Sequence, residues 1–289
     1  MKFEKYENVG QFAEGLLELL LENEAQNNLP LSFIKDKSLD PLKSSFFSVK
    51  DEDGSVILAA ARTAPFNIVL CEIGPNHASE AIKLLSDEIK SMGIILPGVL
   101  ATKGTAQKFA EAYAGQGGFR LHLSMNAMQL GKAANYSPSP GHMRLLNECD
   151  MPYAPYWQRC FAEDCYLETY TLNECIDMVK SNIENGKHYI WEDGYPVSQA
   201  VHGRSTPNGA VINSVYTPPH FRGKGYASSV VAELSNTLLE KGNKFCCLFA
   251  DASNPISCGI YRKIGYSDIC IYDDIKFERV AKNNEVLYC

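Results

Sequence analysis

A chain of 289 residues that is 45% hydrophobic and 21% charged has globular composition, which excludes a disordered or fibrous protein, and its length suits two domains as well as one. With 27 basic against 34 acidic side chains the net charge is −7, which argues against a nucleic-acid partner but leaves a local basic patch open. The ten cysteines include adjacent Cys246 and Cys247 but no CxxC pair, so free thiols in a reducing cytosol and no metal are expected. Met1 to Glu7 lacks the apolar core of a signal peptide and no apolar run reaches membrane-spanning length, so a cytoplasmic chain without a membrane partner is expected.

In chain order, Val9 to Gln26 has helical spacing, with Phe12, Leu16, Leu19 and Leu20 on one face. Phe46 to Val49, the turn Asp51 to Gly54, and Val56 to Thr63 read as a hairpin, with Phe66 to Cys71 as a third strand. A helix follows over Ser79 to Ser91, another lies within Gly98 to Ala114, and Gly118 to Met128 reads as a strand. Gly131 to Gly141 loses all periodicity and is rich in small residues and proline, which marks either a linker or a long surface loop.

The second half repeats the style of the first. Met143 to Leu146 reads as a strand, and Pro155 to Cys165 and Asn173 to Glu184 read as helices. His188 to Trp191 and Tyr195 to His202 form a hairpin around Glu192-Asp193-Gly194. Gly209 to Tyr216 is a strand and Tyr226 to Lys241 a helix. Lys244 to Phe249 has the look of a central strand, Asn254-Pro255 opens a short helix that stops at Gly265, and Tyr266 to Tyr272 is a strand. The shared order suggests an internal duplication, with 1–132 as one domain, 133–141 as linker and 142–289 as the other. In the first half, Leu96 to Thr102 is read as the matching strand-to-helix junction, without paired glycines.

The informative stretch is His220-Phe221-Arg222-Gly223-Lys224-Gly225-Tyr226-Ala227, placed between a strand and a helix. Glycines allow tight backbone geometry, and a helix start offers unpaired N–H groups with partial positive charge. Arg222 and Lys224 add cationic side chains, so the turn suits a pyrophosphate; the alternative is a basic solvent-exposed turn. A P-loop does not fit, because no Ser or Thr follows Gly223-Lys224, and the hairpins argue against a dinucleotide fold.

On these residues the second half resembles the GNAT superfamily of acyl-coenzyme A-dependent N-acetyltransferases over about Tyr166 to Tyr272. The family pattern falls on His220, Gly223 and Gly225, with His220 in place of the usual Gln or Arg. The first half resembles a degenerate copy. The resemblance implies tandem α/β (α+β) domains, each a mixed, mostly antiparallel sheet flanked by helices. It also implies an acetyltransferase that moves an acetyl group from acetyl-CoA to a primary amine by direct attack in a ternary complex. Phosphates would meet the turn from His220 to Ala227, and Val215, Tyr216 and Thr217 would line the acyl and pantetheine arm. A backbone N–H near Val215 would polarise the thioester, provided the strand bulges around Asn213 and Ser214.

The resemblance further places Asn254 near the pantetheine and Tyr261 beside the sulfur as acid or charge stabiliser. Both have plain structural readings, a helix cap and a packed aromatic. Candidate bases are His202, Glu192, Asp193 and Glu168, or a water chain. Cys258 reads as a buried thiol rather than an acyl carrier, and Glu163, Asp164 and Glu168 form either an acidic cleft wall or a solvated face. The acceptor would be a small-molecule amine or a peptide amino group. A monomer or homodimer is expected; an edge strand near Phe277 would either mediate the dimer or be covered by the C-terminal tail. The alternative function is a non-catalytic acyl-CoA-binding regulatory or interaction module.

Overall fold

The computed structural model describes residues 1–36, 39–74, 78–165 and 169–278. Its first elements are β1 (Lys2–Tyr6), α1 (Val9–Leu21), α2 (Asn28–Lys35), β2 (Ser44–Lys50), β3 (Val56–Thr63), β4 (Ile68–Glu72), α3 (Ala78–Ser91), β5 (Gly98–Thr102), α4 (Lys103–Ala114) and β6 (Phe119–Leu130). There follow β7 (His142–Leu145), α5 (Ala154–Asp164), α6 (Leu172–Glu184), β8 (His188–Glu192), β9 (Pro196–Ser205), β10 (Gly209–Tyr216), α7 (Tyr226–Glu240), β11 (Phe245–Asp251), α8 (Pro255–Lys263) and β12 (Ser267–Phe277).

The described residues form two compact units, one within 1–22, 29–124 and 271–278, the other within 23–28 and 125–270. In the first unit the strand order is β1-β2-β3-β4-β5-β12. It is antiparallel except where β4 and β5 run parallel at Ile68↔Val99 and Val69↔Leu100. Phe46 and Phe47, neighbours on β2, face opposite sides, as the pleat requires. Phe46 packs with Phe12, Leu16 and Leu20 of α1, and Phe47 with Ile82, Leu85 and Phe109 of α3 and α4.

The second unit repeats the order as β7-β8-β9-β10-β11-β6, again antiparallel except for β10 and β11. Its α7 buries Val230, Val231 and Leu234 against Tyr189, Trp191 and Ile212. On the other face Ile190 meets Ala154 of α5 and Val179 of α6. The capping box at Thr171 and Glu174 starts α6.

The expected duplication is visible in this repeated order, but the units do not divide at 133–141. The reason is non-local pairing. Tyr272–Lys276 of β12 pairs with Thr102–Gly98 in the first unit, while Met125–Leu130 of β6 pairs with Asp251–Cys246 in the second. Residues 133–141 are not a free linker either. They run along α7, with Ala134 N donating to Asn236 Oδ1 at 2.8 Å, Tyr136 bonded to Glu233, and Ser139 N donating to Ser229 Oγ at 2.8 Å.

Local corrections follow the same logic. Lys2–Tyr6 is a strand, and the first helix ends at Leu21 rather than Gln26, with α2 starting at Asn28. Gly98–Thr102 is strand β5, so Leu96 to Thr102 is not the first-half counterpart of the glycine turn. That counterpart follows β4, and residues 75–77 within it lie outside the described residues. Phe277 is not at a free edge: its N–H donates to Pro97 O at 2.9 Å, and Glu278 N donates to Gly118 O at 2.9 Å. Among the described residues no helix is long and apolar enough to cross a membrane.

Candidate functional site

The site of the second unit begins with a strand pair that comes apart. β10 and β11 pair at Gly209↔Phe245, Ala210↔Cys246 and Val211↔Cys247. Beyond these three, among the described residues, β11 continues to Asp251 paired with β6 and β10 turns away. On its other side β10 pairs Asn213↔Val201 and Tyr216↔Gln199, three steps on β10 against two on β9. The extra residue is a bulge, which bends a strand and re-aims its backbone groups. Ser214 within it has φ 49°, a left-handed conformation that is uncommon for a residue with a Cβ. The bulge that the acyl-transfer reading requires is therefore present at Ser214 and Val215.

Two side chains of β9 hold the bulged end. Ser198 Oγ donates to Tyr216 O at 3.1 Å and lies 2.8 Å from Thr217 Oγ1. Gln199 Nε2 donates to Ser214 O at 3.3 Å, and Gln199 Oε1 is 3.1 Å from His188 Nε2. The sequence reading missed Ser198, Gln199 and His188, since polar residues on a strand read equally well as its solvent face.

After β10 the chain makes a 3-10 turn at Pro219–Phe221 and enters α7 through Gly223 (φ 79°) and Gly225 (φ 83°). Both glycines have a left-handed backbone, which a side chain disfavours. Among the described residues a Cβ on Gly223 would meet nothing within 4 Å, which leaves the backbone there open to a ligand, while a Cβ on Gly225 would lie 2.7 Å from Ser139 Oγ. Ser139 Oγ donates to Lys224 O at 2.8 Å, so the strap along α7 also fixes the turn. No side chain among the described residues caps α7, which leaves its first N–H groups for an anion.

The flanking side chains are already engaged. Arg222 donates through Nε to Thr217 O at 2.9 Å and through Nη2 to Asp164 Oδ2 at 2.5 Å, with its guanidinium 5.9 Å from the Tyr216 ring. Lys224 Nζ lies 5.9 Å from the ring of Phe221, which makes tilted ring contacts with His220 and Tyr195. Tyr226 donates to Asp193 Oδ2 at 2.6 Å, which raises its phenol pKa. Ala227 lies in the first turn of α7, half-buried.

The end of α5 and the start of α8 stand at the opened strands. Burial, with Cys160 and Asp164 beside it, pushes the Tyr216 phenol up to about 12. Cys165, which caps α5, is pushed up to about 11 by burial and by Asp164 and Asp251. Asn254 Oδ1 accepts from Ser257 N at 3.0 Å, the helix-cap role. Tyr261 is 8% exposed and packs edge-on to Tyr266 with centroids 6.1 Å apart. Burial pushes its phenol up to about 12, only partly offset by Ser257.

The bases do not gather here. His202 pairs with Ile212, on the far side of the bulge from Tyr216, and its Nε2 lies 3.0 Å from Ser205 Oγ. Glu192 accepts from Arg144 at 2.5 Å and Asp193 holds Tyr226. Glu168 lies outside the described residues. The acidic wall is paired as well, Asp164 with Arg222 and Glu163 with Arg159 at 3.3 Å. Cys258 is buried, donating to Asp251 O at 3.4 Å and accepting from Asn126 at 3.2 Å, as a structural thiol does. Among the described residues no three His, Cys, Asp or Glu side chains are placed to hold a metal.

Comparison with known proteins points the same way. The family described as FR47-like protein matches residues 193–274, which contain the bulge, the glycine turn, Asn254 and Tyr261. No curated protein matches significantly. Among solved structures, a GNAT-family acetyltransferase from Colwellia psychrerythraea is 12% identical, with 96% of this chain and 99% of that one aligned at a TM-score of 0.61. A GCN5-related N-acetyltransferase from Sphaerobacter thermophilus is 16% identical, with 95% of each chain aligned at 0.62. A tandem GNAT protein from the clavulanic acid biosynthesis pathway is 10% identical, with 95% and 97% aligned at 0.58. Matched end to end by structures of this kind, and with one strand order used twice, the chain has a tandem GNAT-like fold.

Proposed function

We propose that the second unit is an N-acetyltransferase that moves an acetyl group from acetyl-CoA to a primary amine of a small molecule or peptide, by direct attack in a ternary complex. The observation that carries this reading is the bulge at Ser214 and Val215 beside a parallel pair that stops at Val211↔Cys247. Such a geometry turns backbone polar groups into a gap between strands, where a thioester arm can lie. The glycine turn fits the phosphate end: among the described residues Gly223 is open where a Cβ would stand, and α7 has no side-chain cap. Acetyl-CoA supplies an acyl group activated as a thioester.

The chain's own residues divide the remaining work. The backbone N–H groups from Gly223 to Ala227 hold the diphosphate, with Lys224 as a nearby cation. The Val215 N–H polarises the thioester carbonyl. Tyr261 stays protonated, since its pKa is about 12 against roughly 8 to 9 for a thiol. It therefore stabilises the departing thiolate by a hydrogen bond without surrendering its proton. An alkylamine with a pKa near about 10 must lose a proton to attack, and with Glu192, Asp193 and His202 engaged elsewhere, water is the acceptor we assign.

Calorimetric titration with acetyl-CoA tests the reading. Saturable binding to the wild type, lost in folded Gly223→Asp protein, supports it, and a panel of amines then identifies the acceptor by coenzyme A release. Binding without turnover on any amine favours the acyl-CoA-binding module; no binding overturns both.

A further inference from the structure

Buried polar side chains on a central strand need a purpose, because each costs free energy unless it is fully hydrogen-bonded. Gln199 is 0% exposed and His188 is 1% exposed, on adjacent strands of one unit. The direction of their contacts is fixed by chemistry. The Ser214 carbonyl only accepts, so the amide nitrogen of Gln199 faces it at 3.3 Å. The amide oxygen then faces His188 at 3.1 Å and requires a proton on Nε2. Nδ1 of His188 has no hydrogen-bond partner among the described residues, and burial holds the imidazole down at about 4, so the ring stays neutral in this one tautomer.

The far end of this chain of contacts is the bulge. A planar trans peptide points its C=O and N–H in opposite directions. With the Ser214 carbonyl drawn toward β9 by Gln199, the N–H of Val215 is turned to the other edge of β10. That is the edge where pairing with β11 has ended. The left-handed φ of Ser214 is costly, and such a conformation persists only where its surroundings enforce it.

We infer that Gln199, oriented by His188, is a positioning residue that holds the Ser214–Val215 peptide so that the Val215 N–H meets the thioester carbonyl. The inference rests on the acetyl-CoA reading and deepens it. Gln199 touches neither substrate nor reacting atoms and acts through the backbone. The first unit supports the assignment. Its third strand carries Leu58, Ala59 and Ala60, all buried, where β9 carries Ser198, Gln199 and Ala200, and β4 beside it pairs with no register shift from Leu58↔Glu72 to Ala61↔Val69.

The test uses acetyl-CoA isotope-labelled at the thioester carbonyl, bound to wild type, Gln199→Met and Gln199→Asn. The first variant keeps the side-chain volume, the second keeps the amide but shortens its reach, and either one that folds is sufficient. Difference infrared spectroscopy should show the bound carbonyl stretch at higher wavenumber in the variants. The dissociation constant for acetyl-CoA should stay within about twofold, and turnover should fall by about 10²-fold. A purely structural role lowers the melting temperature and leaves the carbonyl stretch in place; an unshifted stretch in a folded variant overturns the inference alone. A wild type that does not bind acetyl-CoA overturns the reading beneath it, and the inference falls with it.

Discussion

The two units have the same strand order and differ at one corresponding place. The parallel pair is short in both, two residue pairs in the first and three in the second, but β10 of the second bulges at Ser214. In the first, the pairing of β3 with β4 runs without interruption from Leu58↔Glu72 to Ala61↔Val69. The end of β4 is then tied down: Thr105 Oγ1 donates to Glu72 Oε2 at 2.7 Å and receives a bond from Thr102 Oγ1 at 3.0 Å. The strand ends of the parallel pair part in both units, and in the first they are bridged by these side chains. Duplicated topology preserves packing, while a site depends on a few residues that break the regular pattern.

The largest expected effect tests the open side. Gly225→Asp forces a left-handed residue to carry a side chain against Ser139 and places a carboxylate at the phosphate turn. It should weaken acetyl-CoA binding by about 10³-fold, or ~4 kcal/mol, in calorimetry on folded protein. Next comes acid stability. His188 holds its proton only below about 4 when folded and from about 6.5 downward when unfolded. Its neutral form is therefore favoured by folding, so stability is full above about pH 6.5 and falls as pH drops toward 4, by up to about 3 kcal/mol. Urea unfolding at about pH 7 and about pH 4.5 should show this slope, and His188→Asn should flatten it. Among the described residues the first unit buries no histidine, so no matching slope arises there.

A smaller effect separates chemistry from binding. Tyr261→Phe should leave acetyl-CoA affinity unchanged and reduce turnover by about 10²-fold, measured as coenzyme A release with a saturating amine. The smallest tests the closed side. Thr105→Val removes the hydroxyl that bridges Glu72 and Thr102, and should cost about 1 kcal/mol in urea unfolding without changing acetyl-CoA affinity. Weakened binding in Thr105→Val would mean that the first unit shares in the site, and the contrast between the units would be lost.

What could be read from the sequence was local. Gly223 and Gly225 were legible because a left-handed backbone leaves few residue choices, and Asn254-Pro255 because a cap and an N1 proline have fixed offsets. The helices α3, α6 and α7 were legible from their periodicity. The bulge was not, since Asn213-Ser214-Val215 has no composition that distinguishes a bulge from a regular strand. Gln199 and His188 were hidden because their value depends on each other and on a carbonyl fifteen residues away. β1 escaped because Lys2-Phe3-Glu4-Lys5-Tyr6 lacks a clean alternation, and α2 because Pro30 sits in its first turn. The unit boundary was invisible for a different reason: Thr102 and Tyr272 are partners, and nothing near either one in sequence says so.

That last pairing sets an order of events during synthesis. The first unit needs residues 271–277 to cover β5, so most of it emerges from the ribosome long before it can be completed. The second unit has its strands in hand once residue 270 has appeared. The part translated first is thus the part finished last, waiting with β5 uncovered for a strand that arrives only after its neighbour has been made.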